Sequence, residues 1–147
     1  MKVYESSEIR NVALIGHGNC GKTTLAAGML FASGATNRLT RVDEGNTVTD
    51  FDEDEIQRKI TIATACAYVE WRKNKVNLLD TPGFNIFIND TKAAMVAADA
   101  GLVVVDGVAG VEVQTEKVWS FCEDYNLPRA FVINKLDRER SSFERTL

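Results

Sequence analysis

The sequence predicts a three-layer α/β domain with a mostly parallel sheet and one antiparallel strand. Short apolar runs alternate along the chain with longer stretches of helical composition, which is typical of strands joined by helices. Runs that are apolar at every position, such as Leu102–Val105, favour central parallel strands covered on both faces. The β-rich segments Ile60–Trp71 and Lys75–Asp80 are joined by a short turn, which predicts the antiparallel pair.

Composition fits a single globular domain over residues 1–147. The chain is 45% hydrophobic and 26% charged, which excludes a disordered class. Its net charge of −4 does not favour nucleic-acid binding, and we expect no sequence-specific contact of that kind. The three cysteines contain no Cys-x-x-Cys pair, which favours reduced thiols and a cytoplasmic protein. No signal peptide or membrane-spanning run is evident, so no membrane partner is expected.

The first strand, Val12–Ile15, is followed by a glycine-rich segment and then by a helix from Thr24. Backbone N–H groups of such a loop converge on an anion, and the helix N-terminus adds partial positive charge. Lys22 then reaches terminal phosphates and the Thr23 hydroxyl binds Mg²⁺. The nucleotide-binding residues predicted here are His17, Gly18, Asn19, Cys20, Gly21, Lys22, Thr23 and Thr24. The alternative is an ordinary strand–turn–helix, which the complete motif disfavours.

The polar stretch 35–59 follows Gly34, which we expect to end the first helix. It has no apolar stripe and no turn chemistry that fixes one shape, so we interpret it as a mobile loop. Its many carboxylates are interpreted as a solvated surface rather than as acid–base catalysts. At its far end, the Thr61 hydroxyl can complete a Mg²⁺ shell and sense a terminal phosphate. A threonine within a strand is the alternative.

The remaining elements alternate again. We predict helices over 86–98 and 112–125 and strands over 101–106 and 129–134. Ligands in such sheets bind at the carboxyl ends of the strands. Asp80-Thr81-Pro82-Gly83 ends one strand, where Asp80 can hold a water on Mg²⁺ and the Gly83 N–H can meet a terminal phosphate. An ordinary turn is the alternative for an isolated tetrapeptide of this kind.

A fourth motif, Asn134-Lys135-Leu136-Asp137, ends the last predicted strand. The Asp137 carboxylate can accept two hydrogen bonds from guanine, whereas adenine lacks the exocyclic amine and presents a lone pair at N1. Asn134 can bridge the base edge and the phosphate loop, and the stem of Lys135 can pack across the purine. A polar loop without ligand is the alternative, and an ATP-binding protein is a more distant one.

Together the four motifs resemble the nucleotide domain of translational GTPases, and most closely elongation factor G and elongation factor G-like proteins. The resemblance implies a P-loop NTPase fold, GTP and GDP with Mg²⁺ as ligands, and GTP hydrolysis on the ribosome, for translocation or a related step. It assigns catalysis to Lys22, Thr61 and Gly83, the metal to Thr23, Thr61 and Asp80, and guanine to Asn134, Lys135 and Asp137. His17 is expected to stabilise the loop rather than act as a base.

Three residues depart from the resemblance. Phe84 stands where the family usually has a water-positioning His, and a phenyl ring makes no ordinary hydrogen bond. We therefore expect slow turnover, with a nucleotide-sensing ribosome-binding module as the alternative function. Lys59 replaces the usual Gly before Ile-Thr-Ile, which disfavours any backbone with positive φ there. Asn19 replaces a frequent Asp, and its carbonyl oxygen suggests assistance by K⁺.

The chain stops at Leu147, ten residues beyond Asp137. The resemblance implies a further guanine-supporting loop, strand and helix. We therefore expect a C-terminally incomplete sheet, with residues 1–147 forming the N-terminal portion of the GTP-binding domain of a longer multidomain protein.

Overall fold

The computed structural model describes residues 2–147, which form a sheet of five strands with helices on both faces. The strands are β1 (Ile9–Gly16), β2 (Ala65–Trp71), β3 (Asn74–Asp80), β4 (Ala100–Asp106) and β5 (Arg129–Asn134). The helices are α1 (Lys22–Ala32), α2 (Glu53–Arg58), α3 (Ile88–Val96), α4 (Val113–Asp124) and α5 (Phe143–Thr146), with short 3₁₀ turns at Ser6–Glu8, Val42–Glu44 and Asn85–Phe87.

The sheet order is β2-β3-β1-β4-β5, and only the β2–β3 pair is antiparallel. The predicted fold class is therefore confirmed. In this register Leu14 lies between Asp80 and Leu102, and Asp106 lies opposite Asn134. Because β1, β3, β4 and β5 all run the same way, their carboxyl ends meet at one edge, and the four predicted motifs lie at or near that edge.

Helices cover the sheet on both faces and create two core clusters. On one face, side chains of α3 and α4 such as Met95 and Val118 pack against Ile15 and Val103. On the other face, Leu30 of α1 packs with Ala67, Val69 and Leu78. This burial explains why β1 and β4 are apolar at successive positions, since each face of a central strand meets a hydrophobic layer. Across residues 2–147, no helix is both long enough and apolar enough to cross a membrane.

The stretch 35–59 is more ordered than its sequence suggested. Its carboxylates build a capping box at the start of α2: Asp52 accepts from the Asp54 N–H at 2.9 Å, and Glu55 accepts from the Asp52 N–H at 3.4 Å. Glu55 is also buried and accepts from the backbone N–H groups of Ile62 and Ala63. The interpretation of the whole stretch as a loop without fixed structure was wrong at α2, because Asp and Glu three residues apart satisfy helix-end donors. The interpretation of the acidic run as a solvated surface holds except at Asp50 and Glu55, which are buried; the exposed members are Asp43, Glu44, Asp52, Glu53 and Asp54.

Two backbone features near Thr61 also differ from expectation. Lys59 adopts a left-handed conformation with φ +55° at the end of α2, although a side chain disfavours that region. The strand predicted from Ile60 begins only at Ala65. Residues 60–64 instead form a loop, held partly by the Thr64 N–H, which donates to Asp90 at 2.7 Å. Thr61 therefore lies in a loop that contacts Thr23 of α1, not in a strand.

Candidate functional site

A cavity of about 750 Å³ opens at the carboxyl edge of the sheet. Its walls come from the loop before α1, the stretch 39–43, residues 59–61, the loop after β3 and the loop after β5. The predicted site residues that line it are Gly18, Asn19, Gly21, Lys22, Thr23, Thr24, Thr61, Gly83, Asn134, Lys135 and Asp137. His17, Cys20 and Asp80 do not line it. The phosphate-type loop and the Asp137 segment thus face one cavity.

The loop before α1 is shaped by left-handed backbone and by close packing. Gly21 caps α1 with φ +95°, and a Cβ there would clash with the Asn134 Nδ2 atom. Only glycine satisfies both conditions. The first residues of α1, Lys22 and Thr23, therefore lie at the cavity, where unpaired N–H groups and the helix dipole favour an anion.

Lys22 provides a buried positive charge in this wall. Its side chain is 5% exposed, and its ammonium group donates to the carbonyl oxygens of Gly16 at 3.3 Å and His17 at 2.9 Å. Among residues 2–147, no carboxylate lies within 4.0 Å to form an ion pair with it. A buried cation without a counter-ion is costly, so this arrangement favours an anionic ligand.

A chain of buried polar groups connects α1 with the loops on the other side of the cavity. The Thr23 and Thr61 hydroxyl oxygens are 3.0 Å apart, and the Thr61 hydroxyl donates to Asp50 at 2.9 Å. The Thr49 hydroxyl donates to Asp80 Oδ2 at 2.7 Å, while Asp80 Oδ1 is buried without a partner among the described residues. The stretch 49–61 is therefore tied to the phosphate-type loop and to the end of β3.

The polar chain is chemically suited to Mg²⁺. Hydroxyl and carboxylate oxygens are the ligands that this ion takes, and it is usually held by one or two carboxylates together with phosphates. The unpartnered Asp80 Oδ1 supplies such an acceptor. Within residues 2–147, no group of three or more His, Cys, Asp or Glu side chains forms a ready-made metal cage. The set Thr23, Thr61 and Asp80 fits a metal that a phosphate ligand helps to hold.

Burial raises the pKa of both carboxyl groups in this network of buried polar side chains, Asp50 and Asp80. Desolvation raises the pKa of Asp80 to about 6, against the opposing effects of the Thr49 and Thr23 hydroxyls and of Lys22. Desolvation also raises the pKa of Asp50, opposed chiefly by its hydrogen bond from Thr61. A nearby dication would favour the ionised form of each group.

This pKa predicts the pH dependence of stability without Mg²⁺ and nucleotide. The folded state holds the Asp80 proton more tightly than the unfolded chain, so stability falls as pH rises from about 4 to about 6. The Asp80 contribution to the free energy of unfolding should fall by about 3 kcal/mol over this range. We expect Asp80→Asn to remove this part of the fall in urea titrations with chelator. Equal pH slopes for the two proteins would contradict the assignment.

At the other end of the cavity, the loop after β5 is bonded to the loop before α1. The Asn134 amide donates to the Cys20 carbonyl at 2.9 Å, and the Lys135 ammonium donates to the Asn19 carbonyl. The phosphate-loop half of the bridge predicted for Asn134 is thus present. Cys20 takes part in this contact through its backbone carbonyl. Its side chain is buried, and desolvation raises the pKa of the thiol. Asp137 is exposed at the mouth of the cavity.

His17 and Phe84 occupy different sides of the loop. His17 Nε2 lies 3.1 Å from Glu112, the N-cap residue of α4, so it joins the loop to that helix and does not face the cavity. This geometry supports loop stabilisation over base catalysis. The Phe84 ring packs over Gly18, where a Cβ would lie 2.9 Å from the ring. A phenyl group therefore lines the cavity beside the phosphate-type loop.

Sequence reasoning missed three polar residues of this region: Thr49, Asp50 and Asp106. Thr49 and Asp50 lie in a stretch interpreted as solvated, and nothing local marks them as partners of Asp80 and Thr61. Asp106 could have been identified from the sequence, because it ends a predicted strand at the edge where ligands bind in such sheets, as Asp80 does.

Comparison with known proteins places this geometry in a family. Residues 7–147 match the Elongation factor Tu GTP binding domain family. Two similar proteins are both named "Ribosome-releasing factor 2, mitochondrial". The chain is 46% identical over 136 residues to the one from Culex quinquefasciatus, covering 92% of this chain and 18% of the relative. It is 44% identical over 140 residues to the one from Drosophila melanogaster, covering 95% and 19%. The chain thus spans about a fifth of the length of these relatives.

Solved structures show the same architecture. A crystal structure of a protein from Thermus thermophilus superimposes with a TM-score of 0.91 at 40% identity, covering 96% of this chain and 21% of that one. Translation elongation factor SelB from Methanococcus maripaludis, solved in complex with the GTP analogue GppNHp, gives a TM-score of 0.69 at 23% identity and covers 93% and 24%. The latter likeness concerns the fold alone. The chain therefore belongs to the elongation factor Tu-type GTP-binding domain family.

Proposed function

We propose that this chain binds GTP and GDP together with Mg²⁺, and that it is the GTP-hydrolysing part of a longer elongation factor G-like protein acting on the ribosome. One observation carries the proposal: Lys22, a buried lysine with no counter-ion among residues 2–147, and the carboxylate of Asp137 face the same cavity. The first favours phosphate and the second favours guanine.

The residues at the phosphate end have separate roles in this proposal. The N–H groups of the loop and the Lys22 ammonium bind the phosphates. Thr23, Thr61 and Asp80 would hold Mg²⁺, which when bound offsets phosphate charge. The Gly83 N–H would bind the terminal phosphate, and a side chain at Gly83 would clash with the Lys22 ammonium. Lys22, Thr61 and Gly83 are the proposed catalytic residues.

The position of Thr61 would also depend on whether the bound nucleotide carries a terminal phosphate. The Thr61 hydroxyl donates to Asp50, and the N–H of the next residue, Ile62, donates to Glu55 of α2. Binding a phosphate-held Mg²⁺ would draw the Thr61 oxygen away from its present hydrogen bonds with Thr23 and Asp50. Loss of the terminal phosphate would release it, so the stretch 49–61 is proposed to switch between two arrangements.

The ribosome is proposed as the partner of the full-length protein, in translocation or a related step. The names of the curated relatives support a ribosomal role, and the residues of this chain contribute the nucleotide site. We also propose a cytoplasmic location, although the relatives described above carry "mitochondrial" in their names.

The test is nucleotide binding and ribosome-stimulated phosphate release by the full-length protein. We expect a labelled GDP to be displaced by GTP and not by ATP, and we expect ribosomes to stimulate phosphate release from GTP. Displacement by ATP as effective as by GTP would overturn the guanine assignment. Binding of GTP without any release on ribosomes would favour the nucleotide-sensing module that Phe84 suggests.

A second, narrower proposal concerns a monovalent cation beside the phosphates. The side-chain oxygen of Asn19, which lines the cavity beside the phosphate-type loop, is proposed to help hold K⁺ there. Faster turnover in K⁺ than in Na⁺ at equal ionic strength would support this role, and equal rates would remove it.

A further inference from the structure

We propose that Asp106 is a positioning residue of the guanine end of the cavity, which sets nucleotide affinity by holding the side chain of Lys135. This inference rests on the proposed function and adds to it a residue outside the four sequence motifs. Asp106 is the last residue of β4 and lies opposite Asn134, the last residue of β5. The sheet register therefore places it beside the base-binding loop.

Both carboxylate oxygens of Asp106 accept hydrogen bonds. Oδ2 accepts from the Lys135 ammonium at 2.6 Å. Oδ1 accepts from the backbone N–H groups of Val108 at 2.8 Å and Ala109 at 3.3 Å. The Asp106 carbonyl accepts from the Gly110 N–H at 2.7 Å, which closes the turn. The carboxylate is thus fixed by its own turn before it meets Lys135, so it offers an immobile anchor rather than a flexible surface charge.

The charges of this pair are partly withdrawn from solvent. The side chains of Lys135 and Asp106 are 21% and 14% exposed. Although desolvation opposes it, the hydrogen bonds from Lys135, Val108 and Ala109 hold the pKa of Asp106 below its ordinary value. Asp106 therefore stays ionised at neutral pH. A fixed, half-buried pair of this geometry contributes more than a flexible surface pair.

The pair also controls where the Lys135 stem lies. Lys135 leaves a left-handed backbone position with φ +61°, and its ammonium is bonded to Asp106 at one side and to the Asn19 carbonyl at the other. Lys135, whose stem runs between these fixed ends, lines the cavity together with Asp137. Without the Asp106 charge, one carbonyl would hold the ammonium, and the stem would lose its fixed position over the base. Affinity should suffer, while discrimination by Asp137 should not.

Asp106→Asn is a selective test of this role. Its side-chain oxygen can still accept from Val108 and Ala109, so the turn is kept. The amide nitrogen that replaces Oδ2 is a donor, so Lys135 loses both the charge and the acceptor that it faced. In the full-length protein we expect labelled GDP to bind about tenfold more weakly, with a matching rise in the dissociation rate. GTP should weaken to the same degree, and the preference for GDP over ADP should not change.

Lys135→Met breaks the same pair from the other side without touching the turn, and it completes a double-mutant cycle. In that background we expect Asp106→Asn to change GDP affinity by less than about twofold. Unfolding midpoints of all four proteins check that each is folded. If Asp106→Asn does not fold, Asp106→Ser takes its place in the cycle, because a serine hydroxyl can also accept from the Val108 N–H and carries no charge.

Two results would overturn the role of Asp106. One is unchanged GDP affinity of Asp106→Asn in an otherwise wild-type protein. The other is an equal loss in the presence and absence of Lys135, which would mean that Asp106 acts through the turn alone. Failure of the wild-type protein to prefer GDP over ADP would instead refute the proposed function, and with it this inference, so the two failures are distinguishable.

Discussion

Asp137→Asn is expected to weaken GDP binding by about a hundredfold or more and to create affinity for xanthosine diphosphate. In the proposed function, the carboxylate of Asp137 accepts hydrogen bonds from the N1–H and the exocyclic amine of guanine. An amide keeps one acceptor but turns an N–H donor toward the guanine amine, which leaves two donors facing each other. Xanthine carries a carbonyl at that position, so the amide donor regains a partner. Competition of labelled GDP by unlabelled nucleotides measures both effects.

A neighbouring carboxylate provides the matched control for this change. Glu139 is exposed and lies outside the cavity lining, so Glu139→Gln removes the same charge from the same loop region. We expect its GDP affinity to stay within about twofold of wild type, because exposed charges interact weakly at a distance. An equal loss in both variants would show that charge alone matters. Unchanged nucleotide preference in Asp137→Asn would place the base elsewhere.

Phe84→His is expected to accelerate ribosome-stimulated GTP hydrolysis by about a hundredfold. The Phe84 ring lies over Gly18 beside the proposed phosphate site, where it can neither donate nor accept an ordinary hydrogen bond. An imidazole at this position can accept from an attacking water and orient it. Single-turnover phosphate release by the full-length protein with saturating ribosomes measures the effect, since nucleotide binding then does not limit the rate.

Packing must be separated from chemistry in this experiment. Phe84→Leu keeps an apolar side chain over Gly18 but supplies no hydrogen bond, so we expect it to stay within about threefold of wild type. A similar acceleration in Phe84→Leu and Phe84→His would mean that the ring obstructs the site by its size. No acceleration in Phe84→His would mean that this chain activates water by other groups, and the argument from Phe84 would fail.

The architecture and the cavity were predictable because their signals are local. A complete glycine-rich loop between a strand and a helix, and acidic motifs at strand ends, fix where ligand-facing residues must lie once the strands are parallel. Alternating apolar runs then predict the covered sheet. The residues Gly18–Thr24 and Asn134–Asp137 lie near each other for this reason, and the bond from Asn134 to the Cys20 carbonyl joins the two segments.

The stretch between α1 and β2 shows where such signals fail. Its capping box at Asp52 and Glu55 is local and was overlooked, since the run as a whole looks like solvated charge. Lys59 at φ +55° shows a different limit: a side chain tolerates left-handed backbone when the helix end and the following loop fix its position. Neither the burial of Asp50 nor its bond from Thr61 has any mark in the sequence.

Residue types at short spacing were enough to predict the fold class, the family and the loops that line the cavity. The folded arrangement was needed to learn which carboxylates are buried and what they touch. Asp80 is shielded from solvent because the folded structure encloses the end of β3. Asp106 pairs with Lys135 because the register of β4 and β5 places the two residues side by side. Desolvation and ion pairing depend on groups distant in the chain, so they arise from packing rather than from local pattern.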